Sequence, residues 1–261
     1  MTTALNIAIA SGPLQQAVLA IPGTQSWVQP ESAGFTVSFY GRWVTGCAYD
    51  DYGCIVGCFS PYYQNPGWGI WTRWATTKLI MQAWANNGTK SLTTGTAVEM
   101  RDSLWHRWVM RLTKGDPNDT MEVLQDGLLY GTVTAARVDS LTPSGYLGIG
   151  ARHRGTHAFD LGNNAKLANL WIVKRTVDDA ELAETAGIYA APDDATLWWP
   201  FDEGTGVAVD RMNAINGTLD GDTGTVATWD TDAGHTLVWP SAGGGIFQKP
   251  FSDAFLKPFV G

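Results

Sequence analysis

The stretch Phe35-Thr36-Val37-Ser38-Phe39-Tyr40-Gly41-Arg42-Trp43 decides the class of fold. Phe35, Val37, Phe39 and Trp43 alternate with Thr36, Ser38, Tyr40 and Arg42. A period of two marks a β-strand with one face in the core, so a half-buried strand is expected here. The pattern recurs. Ile80, Gln82, Trp84 and Asn86 alternate with Leu79, Met81, Ala83 and Ala85 up to the turn Asn87-Gly88, and His106, Trp108, Met110 and Leu112 alternate with Trp105, Arg107, Val109 and Arg111. A turn at Asp116 to Asp119 comes next, then a strand over Met121 to Leu124 that runs into the tight turn Asp126-Gly127. Tyr146 to Gly150 and Lys166 to Lys174 read as two further strands. Strands punctuated by Gly, Asp and Asn, with almost no helical period, predict an all-β antiparallel sandwich or jelly roll. One short connector helix is expected after Thr176, with Thr176 and Asp179 as its capping signal, Leu182, Ala183 and Ala186 as its apolar stripe, and an end before Pro192.

Composition agrees with a packed β-protein. The 261 residues are 44% hydrophobic and only 16% charged, with 30 Gly and 13 Trp, which excludes both a disordered chain and a coiled coil. The net charge is −8 and no basic tract occurs, so a nucleic-acid backbone would be repelled. No 18-residue apolar run is present, which argues against membrane insertion, and Met1 to Pro30 carry no Lys or Arg of the kind that opens a secretory signal. Cys47, Cys54 and Cys58 fit no zinc spacing; three thiols, or one disulfide plus a free thiol, both remain open.

Taken in order, Trp105-His106-Arg107-Trp108, Val123 to Gly127, Leu147-Gly148-Ile149-Gly150, Phe159 to Gly162, Leu167 to Ile172 and Thr176 to Glu184 resemble the second half of a laminin G-like, concanavalin A-like jelly roll. The resemblance covers roughly residues 27–190. Trp199 to Gly206, with Asp210 and Asn216 to Leu219 after it, is similar to the opening strand and loop of the same family, here placed last. The organisation expected is an N-terminal segment (1–26), the jelly roll (27–190), a C-terminal β segment completing or packing on the sandwich (191–242), and an arm (243–261).

That arm opens on Gly243-Gly244-Gly245, read as a hinge, and repeats itself as Phe247-Gln248-Lys249-Pro250-Phe251 and Phe255-Leu256-Lys257-Pro258-Phe259. An extended chain sets Phe247, Phe251, Phe255 and Phe259 on one side. Four rings left in water would form an aggregation-prone patch, so the arm either folds back on its own sandwich or docks on a neighbouring subunit or protein partner.

Three chemistries can be weighed against these residues. Glucanases that share the resembled fold carry a Glu-x-Asp-x-Glu strand whose acid and nucleophile stand about 5–5.5 Å apart. The six Glu of this chain (31, 99, 122, 181, 184 and 203) never take that spacing, and no nucleophile elbow or His-Glu-x-x-His occurs, so no catalytic residue is assigned. The resemblance implies one Ca2+ in a loop, with Asp210, Asn213 and Asn216 as oxygen ligands, although such clusters also make plain turns. A glycan site needs aromatic faces beside planar polar groups. Tyr40 with Arg42, Trp71 with Arg73, Gln82 with Trp84 and Asn86, and a row containing Arg107 offer such pairs, provided that the rows coincide on one sheet.

The expectation is a non-catalytic structural or adhesive protein. Laminin G-like jelly rolls occur in bacteriophage virion surface and fibre proteins, and the chain resembles that usage: a capsid-decoration or fibre subunit docked by its C-terminal arm, at the virion surface or outside the cell. The alternative is a soluble or secreted lectin-like module for surface glycans, with a glycoside hydrolase ranked behind both.

Overall fold

A computed structural model describes residues 4–7, 17–20, 34–43, 53–59, 67–73, 78–84, 91–97, 102–136, 146–149, 165–186, 190–202, 207–213, 216–221, 227–230, 236–240 and 246–250. In chain order the elements are β1 (Ala4–Ile7), β2 (Ala17–Ala20), β3 (Phe35–Trp43), β4 (Gly53–Phe59), β5 (Gly67–Arg73), β6 (Lys78–Trp84), β7 (Ser91–Ala97), β8 (Trp105–Thr113), β9 (Asn118–Gln125), β10 (Leu128–Ala136), β11 (Tyr146–Ile149), β12 (Ala165–Val173), α1 (Asp179–Glu184), β13 (Leu197–Trp199), β14 (Thr218–Gly221), β15 (Ala227–Asp230), β16 (Thr236–Pro240) and β17 (Ile246–Pro250). Two sheets carry the fold. The larger runs β10-β9-β8-β3-β12-β1-β15, with β13 beside β12 and the β16–β17 hairpin beside β8; the smaller runs β11-β4-β5-β6-β7. β2 and β14 pair separately. The chain is an antiparallel two-sheet jelly-roll sandwich with one short helix; the contact of β16 with β8 is a single parallel bridge.

Register explains the core. Residues directly opposite one another in an antiparallel pair share a face. Phe35, Val37 and Phe39 of β3 lie opposite Leu112, Met110 and Trp108 of β8, and Leu112 and Met110 lie opposite Met121 and Val123 of β9. From the smaller sheet, Val56, Trp68, Ile70, Leu147 and Ile149 are buried as well. The layers meet where Phe35 stacks on Trp68, ring centroids 4.8 Å apart. Each such side chain taken from water contributes roughly 1.5–3 kcal/mol.

The half-buried strand expected at 35–43 is instead buried on both faces: every residue of β3 except Arg42 is buried. Its second face is covered by the segment after β12. Val109, Leu124, Trp171 and Val173 pack there against Val177 and against Leu182 of α1. The Thr36 hydroxyl donates to the Arg175 carbonyl (2.7 Å) and accepts the Val177 N–H (3.0 Å), tying the crossover to the sheet. The helix cap also differs from expectation. Asp178 is the N-cap, its carboxylate accepting the Glu181 N–H at 2.9 Å, while the Thr176 hydroxyl donates to the Leu112 carbonyl at 3.2 Å. Thr176 is held by the sheet, so the cap passes to the next side-chain acceptor in line.

The C-terminal third is woven into the larger sheet. β13 pairs with β12, and β1 bridges β12 to β15. Asn169, with φ 46° at the bulge of β12, donates to the Ala190 carbonyl and accepts the Trp198 indole N–H (3.0 and 2.7 Å), holding residues 190–200 down. β17 pairs antiparallel with β16; Gly243 to Gly245, the expected hinge between them, lie outside the described residues. Phe247 lies within that hairpin; Phe251, Phe255 and Phe259 lie outside the described residues.

Gly34 is the entrance to β3, with φ +103°. A Cβ there would stand 2.6 Å from the Leu112 carbonyl oxygen and 2.5 Å from the Thr176 hydroxyl. Gly34→Ala is therefore expected to destabilise the protein by about 1–3 kcal/mol, read as a lower denaturation midpoint at unchanged slope.

Candidate functional site

The outer face of the larger sheet is occupied by the protein itself. Arg107 and Tyr40 are directly opposite on β8 and β3, and each is only 1% exposed. The Arg107 guanidinium donates to the Ser38 hydroxyl (2.9 Å), the Leu182 carbonyl (2.5 Å) and the Thr185 hydroxyl (3.0 Å), and lies 5.5 Å from the centre of the Trp171 ring. Burial lowers its pKa, an effect that the Tyr40 hydroxyl and Asp126 oppose. The Tyr40 hydroxyl donates to the Ala186 carbonyl, and burial pushes its pKa far above the ordinary phenol value. Arg42 is half-buried and donates to the Ser103 carbonyl at 2.9 Å. The expectation that Tyr40 and Arg107 line a sugar groove is thus corrected: α1 and the chain after it cover them.

At the end of the same sheet His106 sits between two carboxylates. Its Nδ1 is 2.5 Å from Asp126 and its Nε2 is 2.7 Å from Asp102. Because an ionised carboxylate only accepts, a ring that bonds to both must carry both protons. Burial disfavours the imidazolium, but the bonds and charges of Asp126 and Asp102 outweigh it and raise the pKa above the ordinary histidine value. Asp126 also accepts the Arg107 N–H at 2.8 Å, so the clasp ties the β9–β10 turn to β8.

Asp210, Asn213 and Asn216 do come together. One Asp210 oxygen accepts the N–H groups of Trp198 (2.9 Å) and Met212 (3.0 Å), and the other accepts that of Asn213 (3.0 Å). The Asn216 side-chain oxygen accepts the Asp210 N–H at 3.1 Å, and the Asn213 amide donates to the Thr196 carbonyl at 2.8 Å. These oxygens face N–H donors, whose positive ends would repel a cation. The arrangement is a loop staple in which both Asp210 oxygens already accept backbone N–H groups, and among the described residues no group of three His, Cys, Asp or Glu could hold a metal ion.

The far face of the smaller sheet is where the remaining candidates meet. Trp68 and Ile70 of β5 are buried in the core, so the alternate positions 67, 69, 71 and 73 lie on the opposite face. Gly148, Gly57, Gly69, Gln82 and Thr93 are successive partners across all five strands. On one side of this row come Gly67, Trp84 and Ser91; on the other come Trp71, Ile80 and Gly95, and then Arg73, Lys78 and Ala97. Three positions of the middle row are glycine, and Gly57, Gly69 and Gly148 are each buried; the rows on either side carry Trp84 and Trp71. Trp71, Arg73, Gln82 and Trp84 therefore share one face, and Asn86 lies outside the described residues. Sequence reading missed the glycine row; the spacing of Gly57 and Gly69 shows its meaning only once the strands are in register.

Comparison with known proteins defines the fold. No protein-family model matches the chain, and no curated protein matches it in sequence. Among solved structures it is similar to the native heptameric SAP-like pentraxin of Limulus polyphemus, at 12% identity over 88% of this chain and 96% of that one, with a TM-score of 0.51. It is also similar to a Bacteroides ovatus protein named as a candidate carbohydrate-binding protein, at 13% identity over 88% of this chain, with a TM-score of 0.57. The chain spans 60% of the length of that second protein. Identities this low establish a shared two-sheet sandwich, in agreement with the concanavalin A-like part of the resemblance; neither name refers to a laminin G domain or a virion. Among the described residues no helix is long and apolar enough to cross a membrane.

The clasp and the staple can each be tested. The His106 pKa is raised in the fold, so its stabilisation is complete below the unfolded value of about 6.5 and fades as pH rises through the folded value. The melting temperature of the wild type should fall as pH rises above about 6.5 by a component that His106→Gln lacks, and an NMR titration should put the ring above the free value. Asp210→Ala, which strands three N–H donors, should cost about 3 kcal/mol in chemical denaturation, whereas EDTA should leave the wild-type melting temperature unchanged.

Proposed function

We propose that the protein is a non-catalytic carbohydrate-binding module that holds a saccharide on the far face of its smaller sheet. The observation that carries this reading is the register that joins Trp71, Arg73, Gln82 and Trp84 around the row of Gly57, Gly69 and Gly148. The apolar face of a pyranose packs on an indole, and its hydroxyls need planar amide and guanidinium partners. The likeness to a candidate carbohydrate-binding protein supports the same reading. Such a module works where glycans are displayed, outside the cell.

A hydrolase is disfavoured by the company that two of the carboxylates keep. Glu122 accepts from Arg111 at 2.6 Å, and Glu181 accepts from Arg175 at 2.6 and 2.7 Å. Each is held in an ion pair by an arginine of its own chain, so neither stands as one of a pair of carboxyls flanking a substrate. The virion-decoration reading rests on the C-terminal arm as a free docking element, and part of that arm is a strand of the chain's own hairpin.

Glycan-array screening and then titration calorimetry test the proposal. A hit is expected, with Trp84→Ala and Trp71→Ala each weakening it at least about tenfold while the melting temperature holds. Absence of binding to any glycan, or binding that survives both substitutions, would overturn it.

A further inference from the structure

Charge is shared unevenly between the two sheets. The five strands of the smaller sheet, β11, β4, β5, β6 and β7, contain no Asp or Glu, and their only charged residues are Arg73 and Lys78. In a chain of net charge −8, with 25 acidic residues, this is a local reversal of sign. The reversal is also concentrated. Arg73 closes β5, Lys78 opens β6, and the register sets them directly opposite one another. Opposite positions bring the two Cβ atoms to about 4.5–5.5 Å, where like charges destabilise a sheet. In the larger sheet Arg111 of β8 is opposite Glu122 of β9 and bonds to it at 2.6 Å. Where Arg42 and Lys166 face each other there, Arg42 is tied to the Ser103 carbonyl at 2.9 Å.

The pair belongs to the face that carries the two tryptophans. Steps of two, from Trp71 to Arg73 and from Ile80 to Lys78, keep both cations on the face opposite Trp68 and Ile70. Along the strands the rows follow in the order Trp84, Gln82, Trp71, and then Arg73 with Lys78. Successive rows are about 7 Å apart, so the cations stand one row beyond Trp71, at the end of the series. A guanidinium presents parallel N–H donors to an oxyanion, and an ammonium adds a compact point charge beside it. Two such groups in register are the complement of one anionic substituent.

We propose that the smaller sheet selects acidic saccharides, with Arg73 and Lys78 together receiving the oxyanion, a carboxylate or a sulfate ester, of a sugar that rests by Trp71. This rests on the assignment of that face as a saccharide site and adds the class of sugar. A neutral glycan meets the same tryptophans and amide without the charge-assisted bonds. The rest of the negatively charged chain repels an acidic one, so the pair sets both the preference and the place of binding.

The test is a glycan array probed with the full-length protein, each uronic acid glycan on it matched with its methyl ester and each sulfated glycan with its desulfated form. Titration calorimetry follows on the pairs that bind. The acidic member should bind at least about tenfold more tightly than its neutral counterpart, and the series in which this occurs identifies carboxylate or sulfate. Raising NaCl from about 0.05 to about 0.5 M should weaken the acidic member at least about fivefold and the neutral one little. Lys78→Gln and Arg73→Gln should each cut the preference at least about fivefold, and Lys78→Arg should keep it. Removing one of two opposed cations should leave the melting temperature unchanged or raise it. Equal binding of acidic and neutral members, both still weakened by Trp71→Ala and Trp84→Ala, would overturn the acidic preference and leave the saccharide site standing. Absence of binding to every glycan would overturn both. Glutamine variants that melt lower yet keep the preference would also overturn it, since the pair would then serve an ion pair within the chain. If a substitution unfolds the protein, the matched pairs and the salt dependence of the wild type decide.

Discussion

The guanidinium of Arg107 is enclosed on the outer side of the larger sheet, and the layer above it depends on that enclosure. An unpaired cation in such a place costs several kcal/mol, so it is tolerated only when its partners arrive in register. Those partners come from three parts of the chain: Ser38 on β3, the Leu182 carbonyl within α1, and Thr185 at the helix C-cap. The helix is only six residues long and has little stability of its own. It is held because the sheet needs its last polar groups, and it in turn closes the second face of β3. Beside it, Arg175 bonds both Glu181 and Asp194, which fixes the chain on either side of the helix; those pairs are partly exposed and add modestly.

This arrangement makes the two sheets unequal. The larger is buried on both sides over β3 and spends its polar groups on internal bonds. The smaller contributes one face to the core through Val56, Trp68 and Ile70, and its other face holds the alternate residues. Aromatic and planar polar side chains that look alike in sequence therefore have opposite fates. Tyr40 and Arg107 are structural, whereas the register sets Trp71, Gln82 and Trp84 on the face opposite Trp68 and Ile70.

That difference marks how far the sequence can be read. The alternation in 35–43 and 105–112 is enough to recover β3 and β8, because a period of two is local. The same alternation sets Trp71 on the face opposite Trp68. It cannot say that α1 covers Tyr40 and Arg107, since that contact joins residues 146 positions apart, as in the Tyr40–Ala186 bond. Nor can it show that Asp210 points at backbone N–H groups. An Asp near Asn residues serves a turn and an ion equally well until the donors around it are known. The Gly243 to Gly245 run reads as a hinge because glycine permits one, whereas the pairing of β16 with β17 on either side of it is a contact that no local pattern announces.

Alternation along β5 has an evolutionary corollary. Trp68 and Ile70 hold the seam between the layers, while Gly69 and Trp71 occupy the alternate register of the same strand. Substitutions on the alternate register of the smaller sheet leave the side chains of the seam in place, although the buried Gly57, Gly69 and Gly148 leave little room there. Descendants of this chain can therefore remodel one face of the smaller sheet by single substitutions while the seam keeps its side chains, each step still passing through a folded ancestor.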